Sequence, residues 1–388
     1  MRVAQMLDTL YWGGAQKMQL FLIESLRPLG IELTVISLRE SSDSPVIPKL
    51  QAAGARIVTF PFPNLFSPKS FFQLVNFLRA EKFDLLHAYL TYSNIIGPMA
   101  GALAGTPTIA SLRNIDSMPK DYSVLRATLE TFTLRHVATR VMANGLAVGE
   151  FARQRVKNSR SVDIIPNAVD FVPAISEAER EQFRREITGN PERPFVLSVG
   201  RLTQAKGFFD LLEAFAVVHA QYPEAALVIA GRGKLIDGLT ARMQELGLAG
   251  SVFLLGMRND VPRLLDATDI YVNSSHWEGT PVSVLEAMAA SLPVVATTVG
   301  ENPYLLDKGA GMLVPPHQPQ ELASALIDLL ASPEKRTALG QSARERVQRY
   351  YSRETWCRSL LDLYAQITPK AIPYLAQVST NSYQMSEV

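Results

Sequence analysis

Two glutamates stand eight residues apart in WEGTPVSVLEAM (Trp277 to Met288), Glu278 ahead of a Gly-Thr-Pro turn and Glu286 beyond it. Thr280 is a capping residue type, and Pro281 suits a first helical position, where its missing N–H is no loss. Val284, Leu285 and Met288 then line the buried side of that helix. Glu278 is thereby assigned to the loop and Glu286 to the second turn. A helix N-terminus approached through Gly279, Thr280, Pro281 and Val282 offers free amides and a positive dipole end, which suit a pyrophosphate. A carboxylate on the second turn can accept hydrogen bonds from two vicinal hydroxyls, such as those of a ribose. The plainer reading of the same residues is a surface loop and a solvated helix glutamate.

A second candidate set lies in SVGRLTQAKGFFDLLEAF, starting at Ser198. Arg201 and Lys206 flank a turn between an apolar run and a helical pattern, so both cations can meet one anion, and two positive charges suit a diphosphate leaving group. An Arg and a Lys on an isolated loop would be a solvated pair. In the first half, His87 in FDLLHAYLTYSN, Arg113 in SLRNID and Asn144 all sit at or just past the ends of apolar runs. No Asp-x-Asp pair occurs, and the five histidines show no ligand spacing, so no metal is expected. Charge on a diphosphate would then be met by Arg201, Lys206 and helix amides.

Elements must position these residues. Arg2 to Leu7 reads as a strand, followed by Gly13-Gly14, a helical pattern through Met18, Phe21, Leu22 and Leu26, and a strand at Glu32 to Leu38. The same order returns at Phe195 to Val199, with Gly200, a helix through Phe208, Leu211, Leu212 and Phe215, and a strand at Ala226 to Ala230 ending in Gly231. Further strands are predicted at Leu85–Ala88, Thr108–Ser111, Arg140–Ala143, Asp163–Pro166, Val252–Leu255, Asp269–Val272 and Pro293–Ala296. The class is α/β, with two parallel sheets wrapped by helices. The expected domains are 1–170 and 171–352, with a helix at about 353–368 packing back on the first and a polar tail at 369–388. Ligands of open parallel sheets bind beyond the strands' carboxyl ends, so the loops after Leu7, Ala88, Val199, Ala230 and Val272 should face a cleft between the domains.

The chain has 388 residues, 47% hydrophobic and 19% charged, an ordinary globular balance. Its one cysteine, Cys357, excludes an internal disulfide and fits a reducing compartment, the cytoplasm. The run IIGPMAGALAGTPTIA from Ile95 is broken by glycines and prolines and is too short to span a bilayer. Residues 1–170 carry 18 Lys+Arg against 13 Asp+Glu, while the rest carry 20 against 24. The basic half suits an anionic partner such as the inner face of a membrane, with Phe71, Phe72, Leu74, Phe77 and Leu78 beside Arg79 and Lys82 as the candidate face. A solvated surface and an ordinary core are the alternatives. No clustered basic-aromatic surface indicates nucleic acid, and no G-x-G-x-x-G follows the first strand as in dinucleotide oxidoreductases.

Taken together, Glu278-x7-Glu286, GRL…KG (Gly200 to Gly207), IIPNAVD (Ile164 to Asp170), the Gly13-Gly14 loop and LEAMAASLPVVAT make the chain resemble the retaining glycosyltransferases of family 4, over residues 1–365. The resemblance implies the GT-B fold, two Rossmann-like domains facing across a cleft. It also implies transfer from a UDP- or GDP-type nucleotide sugar to a glycan or lipid-linked acceptor in polysaccharide or glycolipid synthesis, with no further cofactor. By it, Arg201 and Lys206 bind the donor phosphates, amides around Thr280 to Val282 meet the pyrophosphate, Glu286 binds the ribose, Glu278 the sugar hydroxyls, and His87 lies near the transferred sugar. Gly13, Gly14, Arg113, Asn144, Gly200, Gly231, Arg258 and Gly279 fall at family-like cleft positions. Three places depart from the family pattern: Val299-Gly300-Glu301-Asn302, Arg232 with Lys234, and Tyr89 where a second histidine is common. A noncatalytic nucleotide-sugar-binding subunit of a glycan-assembly complex is the alternative, and such a subunit would be expected to have lost Glu278 or His87.

Overall fold

The structure is a computed structural model that describes residues 1–11, 14–40, 44–115, 124–171 and 174–384. It divides into two compact units, one formed by Met1–Asn167 with Arg353–Val388 and the other by Ala168–Ser352.

In the first unit, strands β1 (Arg2–Leu7), β2 (Glu32–Ser37), β3 (Arg56–Thr59), β4 (Leu85–Tyr89), β5 (Thr108–Leu112), β6 (Arg140–Ala143) and β7 (Val162–Ile164) form one parallel sheet in the order β3-β2-β1-β4-β5-β6-β7. β4 and β5 are buried along their whole length, as in a sheet covered on both faces by helices. The order reverses between β1 and β4, which lie side by side with Leu7 opposite Tyr89. The helix Pro68–Glu81 directs Leu74, Val75 and Leu78 into the core, with Phe71 and Phe77 packed against it, leaving Phe72 exposed. That corrects the apolar face expected to meet a membrane: four of its five members belong to the fold, because the same i, i+3, i+4 stripe that would lie on a bilayer here covers the sheet.

The chain returns to this unit after residue 352. Along the helix Arg353–Ala365, Trp356 meets Phe21 edge-on at 5.2 Å, and the Arg353 guanidinium lies 4.1 Å from the centre of the Phe21 ring. The segment expected to form a polar tail is helical over much of its length. A helix runs over Ile372–Gln384, with Ala371 and Val378 buried and the Tyr374 hydroxyl bonded to the Met1 amino group at 2.9 Å.

In the second unit, β8 (Phe195–Val199), β9 (Ala226–Ala230), β10 (Val252–Leu254), β11 (Ile270–Asn273), β12 (Val294–Thr297) and β13 (Met312–Val314) form a parallel sheet in the order β10-β9-β8-β11-β12-β13. Strand alternation divides the core in two. Phe195, Leu197 and Tyr271 face one side with Val284, Leu285 and Met288 of the helix Val282–Ala289. Val196, Ile270 and Val272 face the other with Phe208, Leu211, Leu212 and Phe215 of the helix Phe208–Gln221. The helix Glu177–Thr188 opens on a capping box between its N-cap Ser176 and Glu179.

Candidate active site

The second sheet reverses order between β8 and β11, and this is where an open parallel sheet leaves a crevice beyond its strand ends. The loops leaving these two strands are fastened together. His276 N–H donates to the Ala205 carbonyl at 2.8 Å, and Ser274 Oγ to the Lys206 carbonyl at 2.9 Å. Gly207 permits the approach. Its φ is +61°, and a Cβ placed there would lie 2.0 Å from the Ser274 carbonyl oxygen.

Across this junction Lys206 Nζ forms an ion pair with Glu278 Oε1. The same oxygen accepts from Ser275 Oγ at 2.6 Å and from Asn273 Nδ2 at 3.4 Å. Glu278 Oε2 makes no hydrogen bond among the described residues. Asn273 is itself oriented by the buried Asn302, which donates to its side-chain oxygen and to the Thr297 carbonyl, both at 3.0 Å. The backbone of Glu278 and Gly279 lies against Gly300, where φ is +54° and a Cβ would stand 2.4 Å from the Glu278 carbonyl oxygen. Glu301 N–H closes the contact on the Gly279 carbonyl at 2.9 Å. Asn273, Ser275 and Asn302 were not among the sequence candidates. The signals available were the polar Asn-Ser-Ser run ending β11 and the departure at Val299–Asn302, whose residues support Glu278.

The helix after this loop begins one residue later than the capping pattern suggests. Pro281 is the N-cap, with ψ at 106°, and its carbonyl receives the first helical bonds from Val284 and Leu285, so the helix runs over Val282–Ala289. Gly279, Thr280 and Pro281 are buried, and Glu286 stands half-buried on the second turn. Arg201 is exposed and has no ion pair among the described residues, as are Arg232 and Lys234. The β8 and β9 loops meet through backbone, Leu202 N–H donating to the Arg232 carbonyl at 3.0 Å, and the β9 loop is tied in turn to the β10 loop, Gly231 N–H donating to the Gly256 carbonyl at 2.7 Å. A Cβ on Gly231 would lie 1.8 Å from the Gly200 oxygen, so a glycine at 231 is needed for the two loops to touch. Arg258 is held by Asp260, with Nε to Oδ1 at 2.8 Å and Nη2 to Oδ2 at 2.5 Å.

In the first unit the structure gathers His87, Arg113 and Asn144 at the carboxyl ends of β4, β5 and β6. His87 is fully buried. Its Nδ1 lies 3.0 Å from the Tyr364 hydroxyl and 3.0 Å from that of Tyr89, the residue standing where the family often has a second histidine, while Nε2 has no partner among the described residues. Burial, followed by the Arg113 charge, holds the imidazole well below its usual pKa, so it is neutral at pH 7. Arg113 lies 4.5 Å from the Tyr89 ring centre and donates to Asn167 Oδ1 at 3.1 Å; Asn167 N–H in turn donates to the Asn144 carbonyl at 3.3 Å. As placed, His87 touches tyrosines rather than solvent.

Gly14 is exposed at the start of the helix Gly14–Leu26, and Gly13 lies outside the described residues. At the β1/β4 reversal a cavity of about 330 Å³ is bordered by Asp8, Thr9, Arg39, Tyr92, Arg113 and Asn114. Asp8 accepts from the Ser93 and Tyr92 amides at 2.7 and 3.1 Å, and burial, outweighing these bonds, pushes its carboxyl up to about 6. Though the histidines show no ligand spacing in sequence, the fold brings His276 and His317 to one carboxylate, that of Asp210.

Two family profiles match the chain and together span most of it: Glycosyl transferase 4-like domain over residues 13–168 and Glycosyl transferases group 1 over residues 179–346. The chain is 28% identical over 271 residues to the UDP-Gal:alpha-D-GlcNAc-diphosphoundecaprenol alpha-1,3-galactosyltransferase of Escherichia coli, covering 67% of this chain and 69% of that protein. It is 28% identical over 352 residues to the phosphatidyl-myo-inositol mannosyltransferase of Mycolicibacterium smegmatis, covering 87% and 86%. Among solved structures, Anabaena HepE in complex with UDP superposes with a TM-score of 0.83 at 22% identity, over 94% of this chain and 100% of that one. Sucrose-phosphate synthase from Thermosynechococcus elongatus gives 0.79 at 21%, over 95% and 99%. With two parallel sheets of this order, carboxyl-end loops that carry the Lys206–Glu278 pair, and both family profiles in sequence, the chain belongs to the group 1 glycosyltransferases of GT-B fold, which act on nucleotide-sugar donors in glycan or glycolipid synthesis.

Proposed function

We propose that this chain transfers a sugar from a UDP- or GDP-sugar to an acceptor hydroxyl with retention of anomeric configuration and without a divalent metal. The observation that supports this most is the Glu278 carboxylate, with Oε1 fixed by Lys206, Ser275 and Asn273 and Oε2 left for a ligand hydroxyl. Arg201 takes the diphosphate together with Lys206 and the amides before Val282, as Arg232 and Lys234 add positive charge on the neighbouring loop. Glu286 takes the ribose. The glycosidic bond from the sugar's anomeric carbon to the diphosphate oxygen breaks, the acceptor oxygen bonds to that carbon on the same face, and the acceptor proton passes to the departing phosphate. The cations lower the energy of the charge that builds on the diphosphate. A noncatalytic binding subunit has no need for a carboxylate held in this way.

A panel of UDP- and GDP-sugars read by thermal unfolding in excess chelator tests the reading: the true donor raises the melting temperature, because it binds the native state, and turnover with that donor does not depend on added magnesium or manganese. Loss of turnover restored by magnesium or manganese would assign the leaving-group charge to a metal instead.

The acceptor is lipid-linked in this reading, in keeping with the diphosphoundecaprenol and phosphatidyl-inositol named for the two relatives. No helix among the described residues is long and apolar enough to cross a membrane. The face offered to an anionic surface is on the helix Val124–His136, where Val124, Leu125 and Phe132 are exposed on the side that carries Arg135. Sedimentation with vesicles at low salt should favour anionic over neutral lipid, and Phe132→Ser should weaken that preference; equal binding to both lipids would remove the membrane contact from the proposal.

A further inference from the structure

Asp210 stands in the first turn of the helix Phe208–Gln221, His276 lies two residues before Glu278, and His317 lies between β13 and the helix Pro319–Ala331. His276 Nε2 is 2.9 Å from Asp210 Oδ2, and His317 Nδ1 is 3.7 Å from the same oxygen. The three ligand atoms fall within 4.8 Å of one another, and the two imidazoles lie with centroids 3.8 Å apart.

A hydrogen bond accounts for His276 and Asp210 but not for His317. Its ring is 64% exposed, and its nitrogen is beyond hydrogen-bond reach of the carboxylate. Its backbone, at φ +57°, is left-handed, a conformation that disfavours any side chain with a Cβ. Metal–ligand bonds of about 2.0–2.1 Å in tetrahedral array put ligand atoms roughly 3.3–3.4 Å apart, between the two separations observed here.

We propose that Asp210, His276 and His317 form a site for a borderline divalent transition ion, with Zn²⁺ as its first candidate. Two imidazole nitrogens and one carboxylate oxygen suit Zn²⁺, Ni²⁺ or Cu²⁺ better than Mg²⁺ or Ca²⁺. The exposed side of His317 leaves the fourth position to water. The ion ties together the turn that follows Lys206, the loop that carries Glu278, and the segment after β13. It is therefore a clamp on the two loops of the candidate active site and takes no part in bond breaking. The site itself stands on geometry independent of the catalytic reading, and its readout is metal binding.

The test is thermal unfolding of the full chain with and without Zn²⁺, together with competition against a chromophoric chelator, for wild type, His317→Gly and Asp210→Asn. Glycine relieves the left-handed strain, so in excess chelator His317→Gly should be at least as stable as wild type. With Zn²⁺ at about 100 times its dissociation constant, wild type should gain at least several degrees and bind one ion per chain, while neither variant gains more than a small fraction of that shift. No shift in wild type overturns the proposal. So does an equal shift in all three proteins, which would put the ion elsewhere.

Discussion

Glu278→Gln is expected to lower kcat by about 10²-fold or more while donor affinity changes far less, and Glu286→Ala to raise KM with kcat much less affected. The difference follows from what each carboxylate meets. The ribose that Glu286 is proposed to bind keeps its position and charge as the glycosidic bond breaks, so its contribution is the same in ground and transition states. Glu278 is proposed to face the sugar, which moves and gains positive charge, so part of its interaction exists only at the transition state. Glutamine is nearly isosteric and can still accept from Ser275 and Asn273, whose bonds to Glu278 Oε1 are 2.6 and 3.4 Å. What it removes is the negative charge, and Lys206 then loses its ion-pair partner. A released lysine remains available to the diphosphate, which is why donor binding should hold. Steady-state kinetics with direct donor titration on both variants decide the matter. Equal losses of binding with kcat intact in each would give the two carboxylates one shared anchoring task and end the proposed division of labour.

How much of this was legible beforehand depended on whether a residue's partner was near in sequence or only in space. The strands Arg2–Leu7, Phe195–Val199 and Ala226–Ala230 are covered on both faces and read directly as apolar runs. Arg56–Thr59 and Met312–Val314 were missed, since each is a short edge strand with little burial and no distinguishing pattern. The compact units divide at Asn167 and at Ser352, against expected limits of 170 and 352. Lys206 and Glu278 could be brought together on paper because both follow strand ends, and strand ends share one edge of a parallel sheet. The partners of Glu278 could not, because Asn302 reaches it through Asn273 from beyond the next strand. Asp210, His276 and His317 are the extreme case. Their spacing carries no local period, and only the sheet order makes them neighbours. The stripe Phe71 to Leu78 shows the opposite limit: periodicity identified a helix face correctly but did not say whether sheet or lipid would cover it.

Gly207→Ala should damage both the fold and the site, and a matched control makes the claim measurable. At Gly207 φ is +61°, and the new Cβ would stand 2.0 Å from the Ser274 carbonyl and 3.0 Å from the His276 ring. Gly247 has nearly the same backbone, φ +68°, with nothing within 4 Å of an added Cβ. Gly247→Ala therefore carries the left-handed strain alone, about 1 kcal/mol, or roughly 2–4 °C in Tm for a unit of this size, with kinetics like wild type. Gly207→Ala adds a clash with backbone that cannot rotate away, and overpacking of that kind brings the total to about 2–5 kcal/mol. The relief available is for the loop at Ser274 to move outward, lengthening the contacts of His276 with Ala205 and of Ser274 with Lys206. That displacement draws Glu278 away from Lys206, so kcat should fall together with Tm. Thermal unfolding and steady-state kinetics on the two variants separate these effects. If Gly207→Ala behaves like Gly247→Ala in both, the close approach of the two loops is not what holds the Lys206–Glu278 pair in register.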